Sequence, residues 1–254
     1  MKCKICNQNN KPIFSAKILG KYDIKYYHCS NCGFLQTEEP YWLEEAYKES
    51  INISDTGILS RNLYLSKITS VLIFFFFNKN NKFLDFGGGY GIFVRLMRDI
   101  GLDFYWQDKF SQNLLARGFE YEKNKKYELI TSFETFEHFV SPINEIETMI
   151  RYSDSILFST DILPTLIPEP TGWWYYGLEH GQHISFYNLK TLQFIAQKYN
   201  LNLYTNRATL HLLTKKKINR GLFYIVVKLA NRGLSNLVKH RYKSRTWEDH
   251  EMFK

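Results

Sequence analysis

The chain has 254 residues, 44% of them apolar and 17% aromatic. That suffices for one mid-sized domain with a full core plus a small appendage, and it excludes a disordered chain. The formal net charge is +8, but residues 215–254 hold 11 Lys/Arg against 3 Asp/Glu while the remainder carries 22 of each sign, so the excess sits in a basic C-terminal extension and no broad basic face is implied elsewhere.

All four cysteines lie near the start. Cys3, Cys6, Cys29 and Cys32 form two C-x2-C pairs separated by 22 residues. Two such pairs can supply four thiolates in a tetrahedron, which suits Zn2+. Four thiolates leave no open coordination position, so such a zinc is structural. Disulfides are the alternative and are disfavoured in a reducing cytosol; a redox C-x2-C would not account for two copies. Residues 1–36 therefore read as a zinc-binding module, with His28 a surface residue beside it. No apolar secretory segment is visible at the start. The most apolar run, 68–77, is about half the roughly 20 residues that span a bilayer. The expectation is a cytoplasmic protein, with a buried helix end at Phe74, Phe75, Phe76 and Phe77.

Residues 37–60 are polar, with turn signals at Glu39-Pro40 and Asp55-Thr56-Gly57. The pattern then predicts a helix over 57–77 and a polar turn over 78–81. Strands are predicted at 82–86, 104–107, 127–132 and 155–160. The segment 92–100 has helical spacing, with Phe93, Leu96, Met97 and Ile100 on one face. Helices are also predicted over 141–152, with Pro142 near its start, and over 189–199. Strands at 201–205 and 210–214 close the series. Such alternation implies an α/β fold: a mostly parallel sheet with helices on both faces.

The strongest chemical signal is Phe83-Leu84-Asp85-Phe86-Gly87-Gly88-Gly89-Tyr90-Gly91, a strand running through a glycine turn into a helix. Glycines let the backbone turn tightly and let a ligand approach the main chain, and a cofactor can lie at the carboxyl end of such a strand. The glycines fall as G-x-G-x-G, and Ile92 stands where a dinucleotide fingerprint would place its last glycine. Asp85 lies inside the strand end. A carboxylate there suits the cationic S-adenosylmethionine better than a pyrophosphate. Asp108 follows the next strand, 23 residues after Asp85, where an acid can accept hydrogen bonds from ribose hydroxyls.

The segment Leu84-Asp85-Phe86-Gly87-Gly88-Gly89-Tyr90-Gly91 resembles the first motif of class I S-adenosylmethionine-dependent methyltransferases, and Asp108 resembles their ribose-binding acid. Residues 127–138, which include Phe133, Glu134, Glu137 and His138, resemble the segment after that family's fourth strand. The resemblance spans roughly 57–214 and implies a Rossmann-like methyltransferase fold with a seven-stranded sheet and a closing antiparallel strand. It implies S-adenosylmethionine as cofactor, bound by Asp85, Gly87, Gly88, Gly89, Tyr90, Asp108, Phe133 and Glu134. The region 119–124 departs from the family's pattern, so no adenine-binding acid is assigned there. The expected organisation is a zinc module over 1–36, a methyltransferase domain over 37–214 and the basic extension over 215–254.

A C-x2-C pair before such a domain, with Gly181-Gln182-His183-Ile184-Ser185-Phe186 after the fifth strand, resembles methyltransferases that modify sugars for bacterial surface polysaccharides. This implies O-methylation of a sugar or nucleotide sugar. An alcohol nucleophile benefits from a general base; the candidates are His183 first, then His138, then His180. Trp173, Trp174, Tyr175 and Tyr176 suit a sugar by ring stacking or else fill the core. The basic extension suits an anionic substrate, an acidic membrane surface in peripheral contact, or RNA, or is a solvated helix face. The alternatives to a sugar enzyme are an RNA methyltransferase, which the charge balance outside the extension disfavours, and a non-catalytic binding protein on the same fold. Methylation at carbon of a keto-sugar is a variant of the first reading.

Overall fold

The computed structural model describes residues 1–48, 52 and 55–254. The N-terminal strands β1 (Lys11–Ile18), β2 (Tyr22–His28) and β3 (Leu35–Thr37) precede a short helix α1 (Leu43–Ala46) and the long α2 (Ile58–Phe76). Then follow β4 (Lys82–Phe86), α3 (Ile92–Ile100), β5 (Asp103–Gln107), β6 (Leu129–Ser132), α4 (Pro142–Tyr152) and β7 (Ser155–Ser159). After β8 (Ser185–Phe186) come α5 (Leu189–Lys198), β9 (Asn202–Thr205) and β10 (Leu210–Thr214), and the chain closes with α6 (Arg220–Leu229), α7 (Ser235–Lys239) and α8 (Thr246–Glu251).

Two sheets form, in strand orders β1-β2-β3-β8 and β5-β4-β6-β7-β10-β9. In the larger one β4 is parallel to both β5 and β6. Only the residues 206–209 separate β9 from β10, and neighbouring strands joined so briefly must be antiparallel. The sheet is therefore mixed and mostly helix-connected, as the alternation of signals implies. Among the described residues it has six strands where the family pattern calls for seven. The seventh is reduced to one bridge, Trp106 to Glu120, held by Trp106 N donating to Phe119 O and Tyr121 N donating to Trp106 O. The chain beyond it, Glu122-Lys123-Asn124-Lys125-Lys126, is polar and turns at Asn124 with φ +66°, which ends any ladder.

The described residues gather into two compact units. The first comprises Met1–Asn52, Phe133–Thr148 and Phe158–Leu213. Its antiparallel four-stranded sheet packs one core from both ends of the chain segment: Ile18, Ile24, Tyr26, Leu35 and Trp42 lie against Leu163, Tyr175, Tyr176, Ile184 and Phe186. Trp42 Nε1 donates to Gly181 O and Gln182 Nε2 to Ala46 O, both at 2.7 Å. The cysteine-bearing strands thus share a core with residues 163–186.

The second unit comprises Ile53–Ser132, Met149–Leu157 and Thr214–Lys254. Here Phe83 of β4 stacks on Phe104 of β5 at 5.0 Å. By length and composition α2 is apolar enough to cross a membrane, yet Leu65, Ile68, Val71, Leu72 and Ile73 are buried, packed toward α3, α6 and α7. Its end departs from expectation: Phe74 and Phe75 are partly exposed instead of buried. Tyr242 Oη donates to Ser70 O of α2, and the segment Trp247-Glu248-Asp249-His250, which the sequence alone leaves without a role, carries a buried carboxylate that pairs with Arg95 and Arg98 of α3.

Candidate active site

In the second unit, β4 delivers the chain into the glycine turn. Phe83 and Leu84 are fully buried and fix the strand. Gly87 and Gly89 then adopt φ +75° and +52°, the left-handed region that disfavours side chains. Gly88 has no room for one: a Cβ there would lie 2.8 Å from the Trp106 ring and 3.0 Å from Asp85 Oδ2. The N–H groups of Gly87 and Gly88 both donate to Gln107 O, and Trp106 Nε1 donates to Gly89 O. The main chain is therefore pinned to β5 before α3 begins, and Tyr90 O accepts from the N–H groups of Leu114 and Leu115.

Asp85 is buried and accepts a 2.6 Å hydrogen bond from Thr131 Oγ1. Burial, with some help from the charge of Asp108 and against the Thr131 bond, pushes its pKa up to about 7. Asp108 Oδ2 accepts from Gly89 N at 2.9 Å, and Oδ1 accepts from the N–H groups of Phe110 and Ser111. Oδ1 has both of its acceptor sites filled and Oδ2 keeps one, so Asp108 clamps the loop and retains one acceptor site, on Oδ2, for a ribose hydroxyl. The structure thus brings together Asp85, Gly87, Gly88, Gly89, Tyr90 and Asp108. Phe133 and Glu134 belong to the other unit.

The histidine candidates gather in the first unit. His183 Nδ1 lies 2.6 Å from Tyr175 O, and a carbonyl only accepts, so Nδ1 carries the proton and Nε2 the lone pair. His138 Nδ1 faces Gln182 O at 3.1 Å and Tyr47 Oη at 2.9 Å; the carbonyl again places the proton on Nδ1. His180 is the reverse: its Nδ1 accepts from Gln182 N at 3.1 Å, leaving Nε2–H as a donor. Its ring centroid is 4.8 Å from that of His183, and His183 is 4.9 Å from His138. Burial lowers all three pKa values, that of His138 to about 4, so the rings are neutral near pH 7.

Glu137 places a carboxylate oxygen within 4.8 Å of ring nitrogens of His138 and His183, and Glu134 and Asp161 act on the same region. Glu137 is fully buried, and neither carboxylate oxygen has a hydrogen-bond partner of good geometry, the Tyr175 hydroxyl being near enough only to oppose the effect of burial weakly. Its pKa is pushed well up by burial and then by Glu134. Glu134 sits at φ +52°, an uncommon conformation for a non-glycine residue, held by its N–H donating to Ser159 Oγ and by Ser159 Oγ donating back to Oε1 at 2.5 Å. Asp161 is raised to about 6 by burial and Glu134. The sequence singled out His138 and Glu134 but gave Glu137, Asp161 and Tyr47 no role. The one available signal for Glu137 was its place beside His138 in Glu134-Thr135-Phe136-Glu137-His138. Of the aromatic run, Tyr175 and Tyr176 are core residues, whereas Trp174 is 75% exposed and alone offers a broad open ring face.

The four cysteines converge in the same unit. Cys3 and Cys32 sulfurs are 3.5 Å apart, Cys6 and Cys29 3.4 Å, and all four lie within 4.8 Å of one another. A tetrahedron with Zn–S bonds of about 2.3 Å has sulfurs about 3.8 Å apart, so the cluster fits a zinc ion with small adjustment. The turns around it are tight: Asn7 N donates to Cys3 O and Gly33 N to Cys29 O, with φ +60° at Asn7 and +78° at Gly33.

A mixed sheet whose parallel strands β5, β4 and β6 surround a glycine turn after β4, with a buried acid at that strand's end and a second acid clamping the turn from the end of β5, defines the S-adenosylmethionine-dependent methyltransferase class. A methyltransferase-domain family profile matches residues 61–206, more than half of the sequence, and the chain belongs to that family. It is an S-adenosylmethionine-dependent enzyme. No curated protein matches it. Among solved structures it is similar to the plantazolicin methyltransferase in complex with S-adenosylhomocysteine (12% identity, TM-score 0.46, covering 70% of this chain and 95% of that one). It is also similar to a methyltransferase of calicheamicin biosynthesis (12% identity, TM-score 0.49, 69% and 60%) and to an O-methyltransferase family protein from Burkholderia thailandensis (10% identity, TM-score 0.47, 70% and 68%). The chain spans less than two thirds of the calicheamicin enzyme's length.

Proposed function

We propose that the enzyme is an O-methyltransferase acting on a hydroxyl of a sugar, carried on a nucleotide, in the biosynthesis of a surface polysaccharide. The observation that carries this reading is the cluster of neutral imidazoles in the first unit, His183 and His138, each with its proton fixed on Nδ1 by a backbone carbonyl and Nε2 available. An alcohol must lose its proton as the methyl arrives, and a positioned neutral imidazole takes it. His183 is the first choice for that base and His138 the second; His180 has its lone pair occupied and serves as a hydrogen-bond donor. Trp174 offers a stacking face for a sugar ring. Asp85, the glycine turn and Asp108 hold the cofactor.

In this reading Cys3, Cys6, Cys29 and Cys32 hold a structural zinc, residues 37–214 carry out the methyl transfer in the cytoplasm, and the basic stretch 215–254 receives an anionic group of the substrate or rests on an acidic membrane surface. Incubation of the full chain with S-adenosylmethionine and separate pools of nucleotide sugars and total RNA, read by mass spectrometry, tests the proposal. One added methyl on a nucleotide sugar supports it, and fragmentation places the methyl on oxygen or carbon. Methylation of RNA alone overturns it.

A further inference from the structure

The Glu137 carboxylate is fully buried without a hydrogen-bond partner of good geometry, and no Lys or Arg among the described residues is shown in an ion pair with it. A carboxylate in that position is costly unless it is protonated or meets a cation. Beside it are two neutral imidazoles, His138 and His183. One ligand atom each from Glu137, His138 and His183 lies within 4.8 Å of the other two. Both rings donate Nδ1–H to backbone carbonyls, of Tyr175 and of Gln182. That arrangement fixes the tautomer and leaves Nε2 as the nitrogen with a lone pair, as in metal-ligating histidines.

We infer that Glu137, His138 and His183 form a binding site for a divalent metal ion, separate from the four cysteines. Two imidazole nitrogens and one carboxylate oxygen suit a first-row ion of intermediate softness such as Mn2+, Fe2+, Co2+ or Zn2+. Three protein ligands leave coordination positions open, which is the pattern of a catalytic and not a structural site. The preceding Glu134 adds negative charge beside it: it is the second cause of the raised Glu137 pKa.

The use of the ion rests on the O-methylation reading. A substrate hydroxyl bound at an open position becomes more acidic and gives its proton to solvent. The alkoxide oxygen then forms its bond to the methyl carbon as the methyl–sulfur bond breaks, and S-adenosylhomocysteine leaves. The electron pair of the broken bond stays on sulfur, and the ion is unchanged. In that state His138 and His183 hold the ion, and neither accepts the hydroxyl proton.

The test uses the full chain with its cysteine site loaded with zinc, titrated with Mn2+ while free Mn2+ is followed by electron paramagnetic resonance. One bound Mn2+ per chain is expected, weakened roughly 10-fold or more in Glu137→Gln and in His183→Gln. Pulsed measurements on the unaltered protein should show nitrogen couplings from imidazole, which requires no variant to fold. Absence of any Mn2+ or second Zn2+ bound, or bound Mn2+ without imidazole coupling, overturns the site. Binding with imidazole coupling but no methylated hydroxyl product supports the site and removes the O-methylation reading instead.

Discussion

Asp85 Oδ1 accepts a 2.6 Å hydrogen bond from Thr131 Oγ1 at the carboxyl ends of two adjacent parallel strands. The bond favours the ionised carboxylate, and burial opposes it more strongly, so the group titrates near 7. In the unfolded chain an aspartate releases its proton near pH 4. Between about pH 4 and 7 the folded cofactor-free protein holds a proton that the unfolded chain has lost. The contribution of Asp85 to stability therefore falls as pH rises through that window and is level above it.

The cationic cofactor reverses this preference, because it favours the ionised acid. Affinity for S-adenosylmethionine should rise with pH up to about 7, by as much as about tenfold per pH unit, and then level off. Calorimetric titration between pH 5.5 and 8.5 measures it. Asp85→Asn should bind weakly with no such slope. An affinity independent of pH in the unaltered enzyme would show that Asp85 does not sense the cofactor's charge.

Asp108 has two tasks, and substitution should separate them. Asp108→Ala removes the acceptor for Gly89 N and the acceptor for ribose together. Charge-assisted hydrogen bonds contribute about 1.5–3 kcal/mol, so cofactor binding should weaken by roughly 10- to 100-fold. Asp108→Asn keeps one oxygen acceptor and should fall between. Equal affinities for all three proteins by calorimetry would remove Asp108 from the cofactor site.

These acids were legible because they sit at fixed places in a local pattern: one inside a strand end, one after the next strand, around a turn that needs glycine. The helix and strand order was legible for the same reason, through apolar spacing. The role of Asp249 was not, since nothing local announces that a carboxylate near the end of the chain will be buried beside Arg98. Glu137 was hidden likewise: its neighbour His138 looked chemical, but the lack of a well-placed partner for its carboxylate is a property of packing. The shared core of Trp42 and Gly181 comes from pairing across a sequence separation of 139 residues. The lost strand near Glu120 was half visible in the polar run after it.

Acid should loosen the first unit through its histidines. His211 is buried and His138 half-buried, both neutral, with pKa values lowered by desolvation to about 4. His211 is structural, its ring fixed between Thr205 Oγ1 and Thr160 O. Between pH 6.5 and 4 the unfolded chain binds protons that these folded rings refuse. Their contribution is complete above 6.5 and is lost as pH falls toward 4, at roughly 1.4 kcal/mol per pH unit for each ring. Asp85 acts with the opposite sign over part of this range, so the comparison must be between variants. The drop in urea midpoint from pH 7 to 5 should be smaller in His211→Gln than in the unaltered protein; equal drops would exclude His211 as a contributor.

The cysteine cluster makes a prediction independent of catalysis. One zinc per chain should resist dialysis and be lost in Cys3→Ser or Cys32→Ser, as measured by plasma mass spectrometry. Strong chelators should lower the thermal midpoint, because the ion's binding energy is folding energy for the turns that hold it. Since β3 pairs with β8, the loss should reach beyond the first 36 residues and raise hydrogen exchange at Leu35, Ser185 and Phe186. Exchange that increases only near the cysteines would mean that the sheet stands without the metal.

The end of the chain should matter for stability through one pair. Arg98 is 1% exposed and places Nε and Nη2 on the two oxygens of Asp249, at 2.8 and 2.7 Å, while Nη1 donates to Asp103 at 2.6 Å. The guanidinium also lies over the Phe119 ring at 3.5 Å. Removing Asp249 leaves a buried cation with only part of its compensation, and breaking such a pair costs about 3–5 kcal/mol. Asp249→Ala should therefore lose much of the protein's stability in urea, whereas replacing its exposed neighbour Trp247 by Ala should change it little. The double replacement Arg98→Met with Asp249→Leu removes both charges at similar volume and should recover a large part of the loss. If the single and double variants are equally unstable, the cost lies in packing around α8 and not in the unpaired charge.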